Sequence, residues 1–410
     1  MEGASNWAGR CKLTLVECAD VPSLAGRAAI VSPKPPARVL LLGNLADSVW
    51  RFRGPLLTEM RARGLEVHAA APGLTESTEA ARSLRAIGVH LHDLNFARTG
   101  MNPLSDLGLL LRLLGLLRQV RPTHVLGYTI KPVTFGLLAS KLAGVRQRVA
   151  LINGLGFAFS DARGWKRRFA HGIASALYRL ALSCASRAYF QNPDDRDLFA
   201  RKGLLPRRLP VQVVNGSGVC LEAFAPSPLP EGPLQCVLIA RLLGQKGIRE
   251  YAAAAQALRD AGAELRCHLV GGLDANPDSI GASELEAWEQ AGILEYHGSV
   301  SDVRPLLRAS HVFVLPSYYR EGVPRTILEA MAMGRAIITC DAPGCRETVQ
   351  QGRNGFLIEP RSAAALMEAM QSFLDDPSLA AKMGVESLAM ARDKYDVRKI
   401  NAIMLEGMGL

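Results

Sequence analysis

The chain has 410 residues, of which 49% are hydrophobic and 21% are charged. This composition is typical of globular proteins with buried cores and excludes a wholly disordered chain, and at roughly 100–200 residues per domain the length suggests two domains. No apolar stretch reaches the roughly 18–20 residues that a membrane span needs, and we expect no secretory signal. No two of the eight cysteines form a CxxC pair, so we expect no zinc site.

Positive charge is concentrated in the first half of the chain, which as a whole carries a net charge of +10. Residues 1–215 contain 30 Lys and Arg against 14 Asp and Glu, whereas residues 216–410 contain 18 against 24. A basic half indicates an anionic partner. Aromatic residues make up only 6% of the chain and do not alternate with basic ones as on a nucleic-acid-binding surface. We therefore expect an anionic membrane or a phosphate-bearing substrate, and no nucleic acid.

Residues 37–220 alternate short apolar runs with helical patterns. The run at 38–43 is continuous and ends in glycine, which is typical of a buried parallel strand. The alternation predicts βαβ units and a parallel sheet, and residues 1–36 are interpreted as a flexible N-terminal lead. Further strands are predicted at 66–70, 89–94, 123–128, 148–152, 188–191 and 211–214, and helices at 52–63, 76–86, 104–120 and 134–142.

A second set of alternating elements follows a connector at 221–233, in which four prolines fall within nine residues. Its strands are predicted at 235–240, 266–270, 295–296, 312–315 and 336–339. We therefore predict an α/β protein with two Rossmann-like domains, at 37–220 and 234–385, whose parallel sheets face each other across a cleft. Helices follow at 386–410. Ligands of such open sheets bind beyond the carboxyl ends of the strands.

Two glutamates follow the predicted strand at 312–315: Glu321 in a loop and Glu329 on the helix that begins near Pro324. The free N–H groups and the positive dipole end of that helix suit a phosphate. A carboxylate on each side would accept hydrogen bonds from hydroxyls at both ends of a nucleotide diphosphate sugar. This pattern predicts a sugar-nucleotide site.

Two cations, Arg241 and Lys246, follow the predicted strand at 235–240. At the carboxyl end of a strand they would face the same cleft as the glutamates, and two cations can neutralise a departing diphosphate without a metal. The chain has neither a GxGxxG fingerprint nor a Walker A pattern, which disfavours a dinucleotide cofactor. We predict no metal and no other cofactor.

The spacing of these four residues resembles that of the retaining GT-B glycosyltransferases of family 4, and the likeness runs from Arg38 to about the C-terminus. Four segments are similar to the bacterial subgroup that extends polyprenyl-diphosphate-linked sugars: VGGLDANP at 270–277, FVLPSY at 313–318, TIKP at 129–132 and NGLG at 153–156. That subgroup includes the N-acetylgalactosaminyltransferase of bacterial N-glycan assembly and many O-antigen and capsule enzymes.

The resemblance implies a role for each matched residue. Arg241 and Lys246 would bind the donor diphosphate and, with Glu321, carry the catalysis. Glu321 would bind the hydroxyls of the donor sugar and Glu329 those of the ribose. The remaining implied positions are the backbone of Gly322 and Val323 near the donor phosphates, and Gly43, Asn44, Arg53 and Lys131 on the acceptor side.

One position departs from the family pattern. Many members have a histidine just after the fourth strand of the first domain, whereas the chain has Tyr128 to Lys131 there, with no histidine. Lys131 is a candidate for an electrostatic role in its place. Retention by front-face attack does not require a side-chain base, because the leaving phosphate oxygen can take the proton of the acceptor.

Asp195, Arg196 and Asp197 spell DxD, the metal motif of the other main glycosyltransferase fold. Their context favours the start of a helix, because Asn192 or Asp194 can cap it and acids stabilise its first turn. We therefore interpret this motif as structural.

Basic residues next to aromatic and aliphatic ones occur at 161–185, where Arg163 and Trp165 are followed by three further cations, and at 51–53, which reads Arg-Phe-Arg. Such stretches are either solvated basic surfaces or attachment sites for anionic lipid. The second interpretation fits a lipid-linked acceptor.

Together these features predict a cytosol-facing enzyme, peripheral on the inner face of the cytoplasmic membrane. It would transfer a hexose or N-acetylhexosamine from a nucleoside-diphosphate sugar, for which we expect UDP as the nucleotide, to a polyprenyl-diphosphate saccharide. The transfer would proceed with retention and would serve the assembly of a bacterial surface polysaccharide or glycan. The alternatives are a transferase with a soluble acceptor, a sugar-nucleotide epimerase, and a non-catalytic subunit that binds a sugar nucleotide. The sequence leaves the donor sugar, the linkage and the oligomeric state open.

Overall fold

The computed structural model describes residues 36–76, 78–96, 103–154, 165–274, 276 and 278–410. Nearly all of the lead expected at 1–36 therefore lies outside the described residues, as do Leu155, Gly156 and Arg163, and Ala275 and Pro277 of the segment at 270–277. The described residues form two parallel sheets, and this confirms the predicted α/β fold class.

The first sheet has seven strands in the order β3-β2-β1-β4-β5-β6-β7. Its strands are β1 (Arg38–Leu42), β2 (Glu66–Ala71), β3 (His90–Asp93), β4 (His124–Tyr128), β5 (Gln147–Ile152), β6 (Arg187–Phe190) and β7 (Val211–Val213). The helices between them are α1 (Ala46–Ala62), α2 (Glu79–Ala86), α3 (Pro103–Val120), α4 (Ile130–Leu142), α5 (Trp165–Cys184) and α6 (Pro193–Arg201). We call residues 38–213 the first lobe.

The second sheet has six strands in the order β10-β9-β8-β11-β12-β13. Its strands are β8 (Leu234–Ile239), β9 (Leu265–Val270), β10 (Glu295–Tyr296), β11 (Val312–Leu315), β12 (Ala336–Cys340) and β13 (Gly355–Ile358). Its helices are α7 (Ile248–Asp260), α8 (Ala282–Gln290), α9 (Arg304–Arg308), α10 (Arg325–Ala332), α11 (Ala363–Asp375) and α12 (Ser378–Lys394). We call residues 234–394 the second lobe.

The strand order reverses between β1 and β4 in the first lobe and between β8 and β11 in the second. At such a point the connections leave toward opposite sides and open a crevice beyond the carboxyl ends of the strands, which is where ligands of these folds bind. Gly43 and Lys131 therefore lie at one crevice, and Arg241 and Glu321 at the other.

The last helix, α13 (Val397–Met408), returns to the first lobe. Its apolar side chains Ile400, Met404 and Leu405 are buried in the core of the seven-stranded sheet. The Tyr189 hydroxyl donates to the backbone oxygen of Met404 at 3.1 Å. The helical character of this segment is visible in the sequence, but its attachment to the distant first sheet is not.

Several elements differ from the sequence-based expectation. Strand β13 is present in the structure but is not predicted from the sequence, because its four residues begin with glycine and follow a polar turn. Helix α4 begins at Ile130 rather than at 134. Its proline lies in the first helical turn, where backbone N–H groups have no partner within the helix, so the missing N–H of proline costs no hydrogen bond there. No helix among the described residues is long and apolar enough to cross a bilayer.

Candidate active site

The carboxyl-end loops of the two sheets meet at the segment that precedes α10. The Asn192 side chain, which follows β6, donates to the backbone oxygens of Glu321 and Gly322 at 2.9 and 3.1 Å. A Cβ atom on Gly154, which follows β5, would lie 2.6 Å from the Gly322 nitrogen. The two crevices therefore open onto one boundary between the lobes.

Lys246 and Glu321 form the centre of the second-lobe site. Lys246 ends a short 3-10 turn after β8, is 7% exposed and forms an ion pair with the Glu321 carboxylate. The Ser317 hydroxyl donates to the same Glu321 oxygen, Oε1, at 2.9 Å. The Lys246 ammonium lies 5.4 Å from the centroid of the Tyr319 ring. Two residues that are 75 positions apart in the chain are thus held together as predicted, with both charges largely withdrawn from solvent.

The turn that carries Lys246 needs glycine at its end. Gly247 has a φ of +75°, and a Cβ there would lie 2.3 Å from the backbone oxygen of Pro316. Only glycine adopts this left-handed backbone without cost and leaves room for that close approach. The approach joins the end of β8 to the end of β11, and so brings Lys246 to Glu321.

Glu329 lies on α10 and is 8% exposed. Burial raises the pKa of its carboxyl group above 4.5, and the Arg325 guanidinium opposes that rise. Arg325 donates through Nε to Oε1 of Glu329 at 2.8 Å. A buried carboxylate of this kind, held by one partner, is suited to accept hydrogen bonds from ligand hydroxyls.

The backbone at Gly322 and Val323 is packed tightly against the first lobe. A Cβ on Gly322 would lie 1.9 Å from the Gln191 side-chain oxygen and 3.1 Å from the Asn153 carbonyl carbon. A Cβ on Gly216 would lie 2.9 Å from Cβ of Val323. The segment that leads into the N-terminus of α10 is therefore confined from the opposite lobe.

Arg241 occupies the exposed edge of the second-lobe site. Its side chain is 60% exposed, and Nη1 lies 3.4 Å from an oxygen of Asp274, in the loop after β9. Arg241 thus lies at the carboxyl edge of the sheet, as predicted. The described contacts do not join it to Lys246 or Glu321, so the cationic pair of the prediction consists of one buried and one exposed group.

Gly43 and Asn44 follow β1 on the first-lobe side. A Cβ on Gly43 would lie 2.7 Å from the Tyr128 hydroxyl oxygen, so no larger residue fits there. The Tyr128 hydroxyl is itself 3.1 Å from the hydroxyl of Ser48. Asn44 is partly buried beside this contact.

Arg53 is a buried cation without an acidic partner among the described residues. It lies on α1 and is 2% exposed, and its Cζ is 5.3 Å from the centroid of the Tyr128 ring. Its Nε has no hydrogen-bond partner in the described structure. Burial lowers the pKa of Arg53 to about 10, with a further lowering from Arg325 on the other lobe, so the group stays protonated at neutral pH. An uncompensated buried charge costs several kcal/mol, and a bound anion would offset that cost.

This burial corrects part of the membrane prediction. The sequence 51–53 is expected on a basic surface, but only Arg51 and Phe52 are exposed, because α1 turns Arg53 inward against Tyr128. Residues 165–168 form the first turn of α5.

Lys131 is neutralised inside the first lobe. Its Nζ lies 2.8 Å from Oδ1 of Asp106 on α3, and both side chains are nearly buried. The electrostatic role expected of Lys131 in place of the family histidine stays a prediction, and its charge is shared with an acid from α3.

The DxD motif begins α6 as expected. The Asn192 side chain caps the helix by accepting from the Asp195 N–H at 2.8 Å. Asp197 forms an exposed ion pair with Arg196 at 2.7 Å. Asp195, in contrast, is fully buried and bonded to Arg320 of the second lobe at 3.0 Å, a contact that the sequence pattern does not predict.

Sequence reasoning misses several residues that build the site. The spacing of Arg325 and Glu329, four apart on one helix, is a signal that the sequence contains. The remaining missed residues are brought in by packing between distant segments and leave no local pattern; they are Ser317, Tyr319, Gln191, Asn192 and Arg320.

Comparison with known proteins identifies the class of protein to which the chain belongs. Residues 49–216 match the family model described as glycosyl transferase 4-like domain, and residues 233–376 match the one described as glycosyl transferases group 1. Together the two models span most of the chain. The chain therefore belongs to the glycosyltransferases that combine these two domains, and it is an enzyme of that class with the GT-B fold.

Two curated relatives match the chain over most of their own length. The chain is 29% identical over 355 residues to the N,N'-diacetylbacillosaminyl-diphospho-undecaprenol alpha-1,3-N-acetylgalactosaminyltransferase of Campylobacter jejuni, with 83% of the chain and 90% of the relative covered. It is 27% identical over 306 residues to the UDP-Gal:alpha-D-GlcNAc-diphosphoundecaprenol alpha-1,3-galactosyltransferase of Escherichia coli, with 67% and 72% covered.

Solved structures support the fold. The sucrose-phosphate synthase of Thermosynechococcus elongatus superposes with a TM-score of 0.74 at 18% identity, covering 90% of the chain and 98% of that protein. Anabaena Alr3699/HepE, solved in complex with UDP, superposes with a TM-score of 0.70 at 18% identity, covering 91% and 99%. At this identity the likeness concerns the fold alone.

Proposed function

We propose that the protein transfers a hexose or N-acetylhexosamine from a UDP-linked donor to a polyprenyl-diphosphate saccharide, with retention, during assembly of a bacterial glycan. The observation that carries the proposal is the largely buried Lys246–Glu321 pair at the reversal of the second sheet, where such folds bind nucleotides. A buried ammonium suits a diphosphate, and the carboxylate beside it suits sugar hydroxyls.

The donor lies in the second lobe in this proposal. Lys246 and the N–H groups before α10 bind the diphosphate, with Arg241 at the exposed edge, and Glu329 accepts from the ribose hydroxyls. These cations stabilise the negative charge that develops on the leaving diphosphate, so the mechanism requires no metal. Glu321 accepts from the donor sugar while its charge is balanced by Lys246.

The reaction exchanges one bond at the anomeric carbon. The bond from that carbon to the diphosphate oxygen breaks as the acceptor hydroxyl attacks from the same face, which retains the configuration. The proton of the hydroxyl passes to the departing phosphate oxygen. This path needs no side-chain base and is compatible with the engaged Lys131.

The acceptor lies against the first lobe. Support comes from Arg53, whose buried positive charge has no acid partner among the described residues, and from the two curated relatives, whose names describe undecaprenyl-diphosphate acceptors. In this proposal Arg53 faces the acceptor diphosphate, and Gly43 and Asn44 lie on the acceptor side of the cleft.

The membrane is the surface on which this acceptor is presented. Helix α3 exposes three leucines at helical spacing, Leu104, Leu107 and Leu111. By sequence, the first turn of α5 in the same lobe contains Trp165 and three basic residues. Apolar groups next to cations suit the boundary of an anionic bilayer. We place the enzyme peripherally on the inner face of the cytoplasmic membrane, with no nucleic-acid partner.

A donor screen tests the proposal. UDP-linked hexoses and N-acetylhexosamines are offered with a short polyprenyl-diphosphate sugar, and release of UDP is measured. We expect Lys246→Ala and Glu329→Ala to lower kcat/KM for the transferred donor by about 100-fold or more, because each removes a group that binds the diphosphate or the ribose.

The matched controls are Lys382→Ala and Glu386→Ala, which remove an exposed lysine and a partly exposed glutamate from α12. They should keep kcat/KM within about twofold of the unchanged protein. Full activity in both site variants would contradict the assignment of the donor site.

A further inference from the structure

The junction of β6 and α6 contains two polar side chains that are completely buried. Asn192 and Asp195 are both 0% exposed. Asn192 caps α6, but an exposed acid would stabilise the first turn of a helix equally well. Helix formation therefore does not explain why Asp195 is buried, and a buried carboxylate is costly unless it is paired and hydrogen-bonded.

The partners of these two side chains lie on the other lobe. Arg320 donates through Nη2 to Oδ1 of Asp195 at 3.0 Å. Asn192 donates through Nδ2 to the backbone oxygens of Glu321 and Gly322 at 2.9 and 3.1 Å, and it lies 3.1 Å from Oδ2 of Asp195. We call Asn192, Asp195 and Arg320 the interlobe clamp.

The clamp acts on three consecutive residues of one loop. The Arg320 side chain and the backbone oxygens of Glu321 and Gly322 are all held, so the backbone is fixed on both sides of the Glu321 carboxylate. The Arg320–Asp195 bond joins two charged groups, which makes it stronger than a bond between neutral groups, and the two Asn192 bonds fix the adjacent backbone oxygens. Together they favour one arrangement of this short loop. Burial raises the pKa of Asp195, and Arg320 opposes that rise, as expected for a partner that keeps the carboxylate charged.

We propose that Asn192 and Asp195 are positioning residues, through which the first lobe sets the geometry of the Glu321 loop in the second lobe. The loop reaches its working arrangement only when the clamp is formed. The role of Glu321 in this inference rests on the proposed function, whereas the ordering of the loop does not.

A neighbouring ion pair provides a matched control. Asp194 precedes Asp195 and also crosses between the lobes, where Arg346 donates to its Oδ2 at 2.9 Å. Both side chains of that pair are about one-third exposed, and the pair does not include the residues of the Glu321 loop. Asp194→Asn therefore removes an interlobe contact without removing the clamp.

Hydrogen exchange followed by mass spectrometry tests the ordering without any substrate. In Asp195→Asn we expect amides of a peptide spanning 317–323 to exchange about tenfold faster or more, because the loop opens locally. Asp194→Asn should leave the exchange of this peptide unchanged. Equal exchange in Asp195→Asn and the unchanged protein, or equal acceleration in both variants, would overturn the proposal.

Kinetics test the positioning role. Asp195→Asn and Asn192→Ala should each lower kcat by about 10- to 100-fold, since a small displacement of a catalytic carboxylate has an effect of that size. Asp194→Asn should stay within about twofold of the unchanged protein. A loss of thermal stability with kcat unchanged in the clamp variants would show that the contact only joins the lobes.

Arg320→Gln removes the same contact without changing Asp195, and it should accelerate exchange of the same peptide and lower kcat as Asp195→Asn does, so it decides the proposal if Asp195→Asn does not fold. Where both single variants fold, the variant that combines them should lose no more activity than the more impaired single variant, because the two residues act as one unit. Additive losses would contradict the clamp. An inactive unchanged protein would contradict the proposed function, while the exchange experiment would still decide the clamp.

Discussion

At the scale of single residues, the Glu321 loop is packed so closely against a neighbouring glycine that a side chain at that glycine would not fit. Gly344 has a φ of +86°, and a Cβ there would lie 2.0 Å from the backbone oxygen of Gly322 and 2.7 Å from that of Glu321. A backbone oxygen cannot move without moving the loop. The position of the Glu321 carboxylate therefore depends on a glycine more than twenty residues further along the chain.

Gly344→Ala should lower transfer activity by about tenfold or more, because the new methyl group displaces the Glu321 loop. Gly352→Ala is the matched control, since Gly352 has a φ of +73° and an added methyl group would meet nothing within 4 Å. Gly352→Ala should lose about 1 kcal/mol of stability from backbone strain alone, and Gly344→Ala should lose more because its methyl group also meets backbone oxygens; denaturant unfolding measures both. Equal activity in the two variants would contradict this account of Gly344.

The sequence allows the principal donor residues to be predicted, but not their surroundings. Lys246 and Glu321 follow apolar strands directly, so their place at the carboxyl edge is a consequence of the fold. Ser317 and Asn192 reach Glu321 through the packing of distant segments. The ion pair of Lys131 with Asp106, 25 residues earlier, is not predictable from the sequence, because the two residues are adjacent only after α3 and α4 have packed.

At the scale of elements, a buried arginine makes several of the hydrogen bonds that join the proline-rich connector to the second lobe. Arg335 is 0% exposed and precedes β12. It donates to the Ser310 backbone oxygen at 2.8 Å, to the Ser227 hydroxyl at 2.6 Å and to the Pro228 backbone oxygen at 3.0 Å. Burial lowers its pKa to about 10, so at neutral pH it is a charged donor to the connector.

Arg335→Met should lower the free energy of unfolding by about 2–4 kcal/mol, because it leaves several buried carbonyl groups without a donor. The measurement is urea unfolding. Arg353→Met, which removes a largely exposed ion pair with Glu386, should cost less than about 1 kcal/mol. A loss below about 0.5 kcal/mol for Arg335→Met would show that the connector is held by other contacts.

The element pattern is predictable where apolar runs are long and uninterrupted. Strand β1 and strand β8 are of this kind, and the structure contains both close to the expected bounds. Strand β13 is short and begins with glycine, so its pairing with β12 depends on the sheet that is already present. The docking of α13 on the first lobe is a tertiary contact that helical periodicity alone does not define.

At the scale of the whole molecule, the two lobes differ in charge and in the surface that they expose. The excess of Lys and Arg falls in residues 1–215, and the exposed leucines of α3 belong to the same lobe. The chain passes between the lobes twice, and the two passages are joined where the Val219 N–H donates to the Tyr395 backbone oxygen at 2.8 Å. The first lobe is therefore the one that we propose faces the membrane.

The protein should bind vesicles that contain anionic lipid at low salt and be released as salt screens the attraction over about 10 Å at 0.1 M. Sedimentation with vesicles measures this binding, with neutral vesicles as the lipid control. Leu107→Ser combined with Leu111→Ser should weaken binding several-fold, because the apolar contribution is lost. A protein that stays unbound at low salt would contradict the membrane assignment.

The central claim is that the cleft accepts a sugar linked to a lipid diphosphate. The most direct test compares transfer of a labelled sugar to a short polyprenyl-diphosphate saccharide and to the same saccharide without the lipid diphosphate. The account predicts that the lipid-linked acceptor is preferred by about 100-fold or more in kcat/KM, because the diphosphate offsets buried positive charge at Arg53. Equal use of the two acceptors would contradict it and favour a transferase with a soluble acceptor.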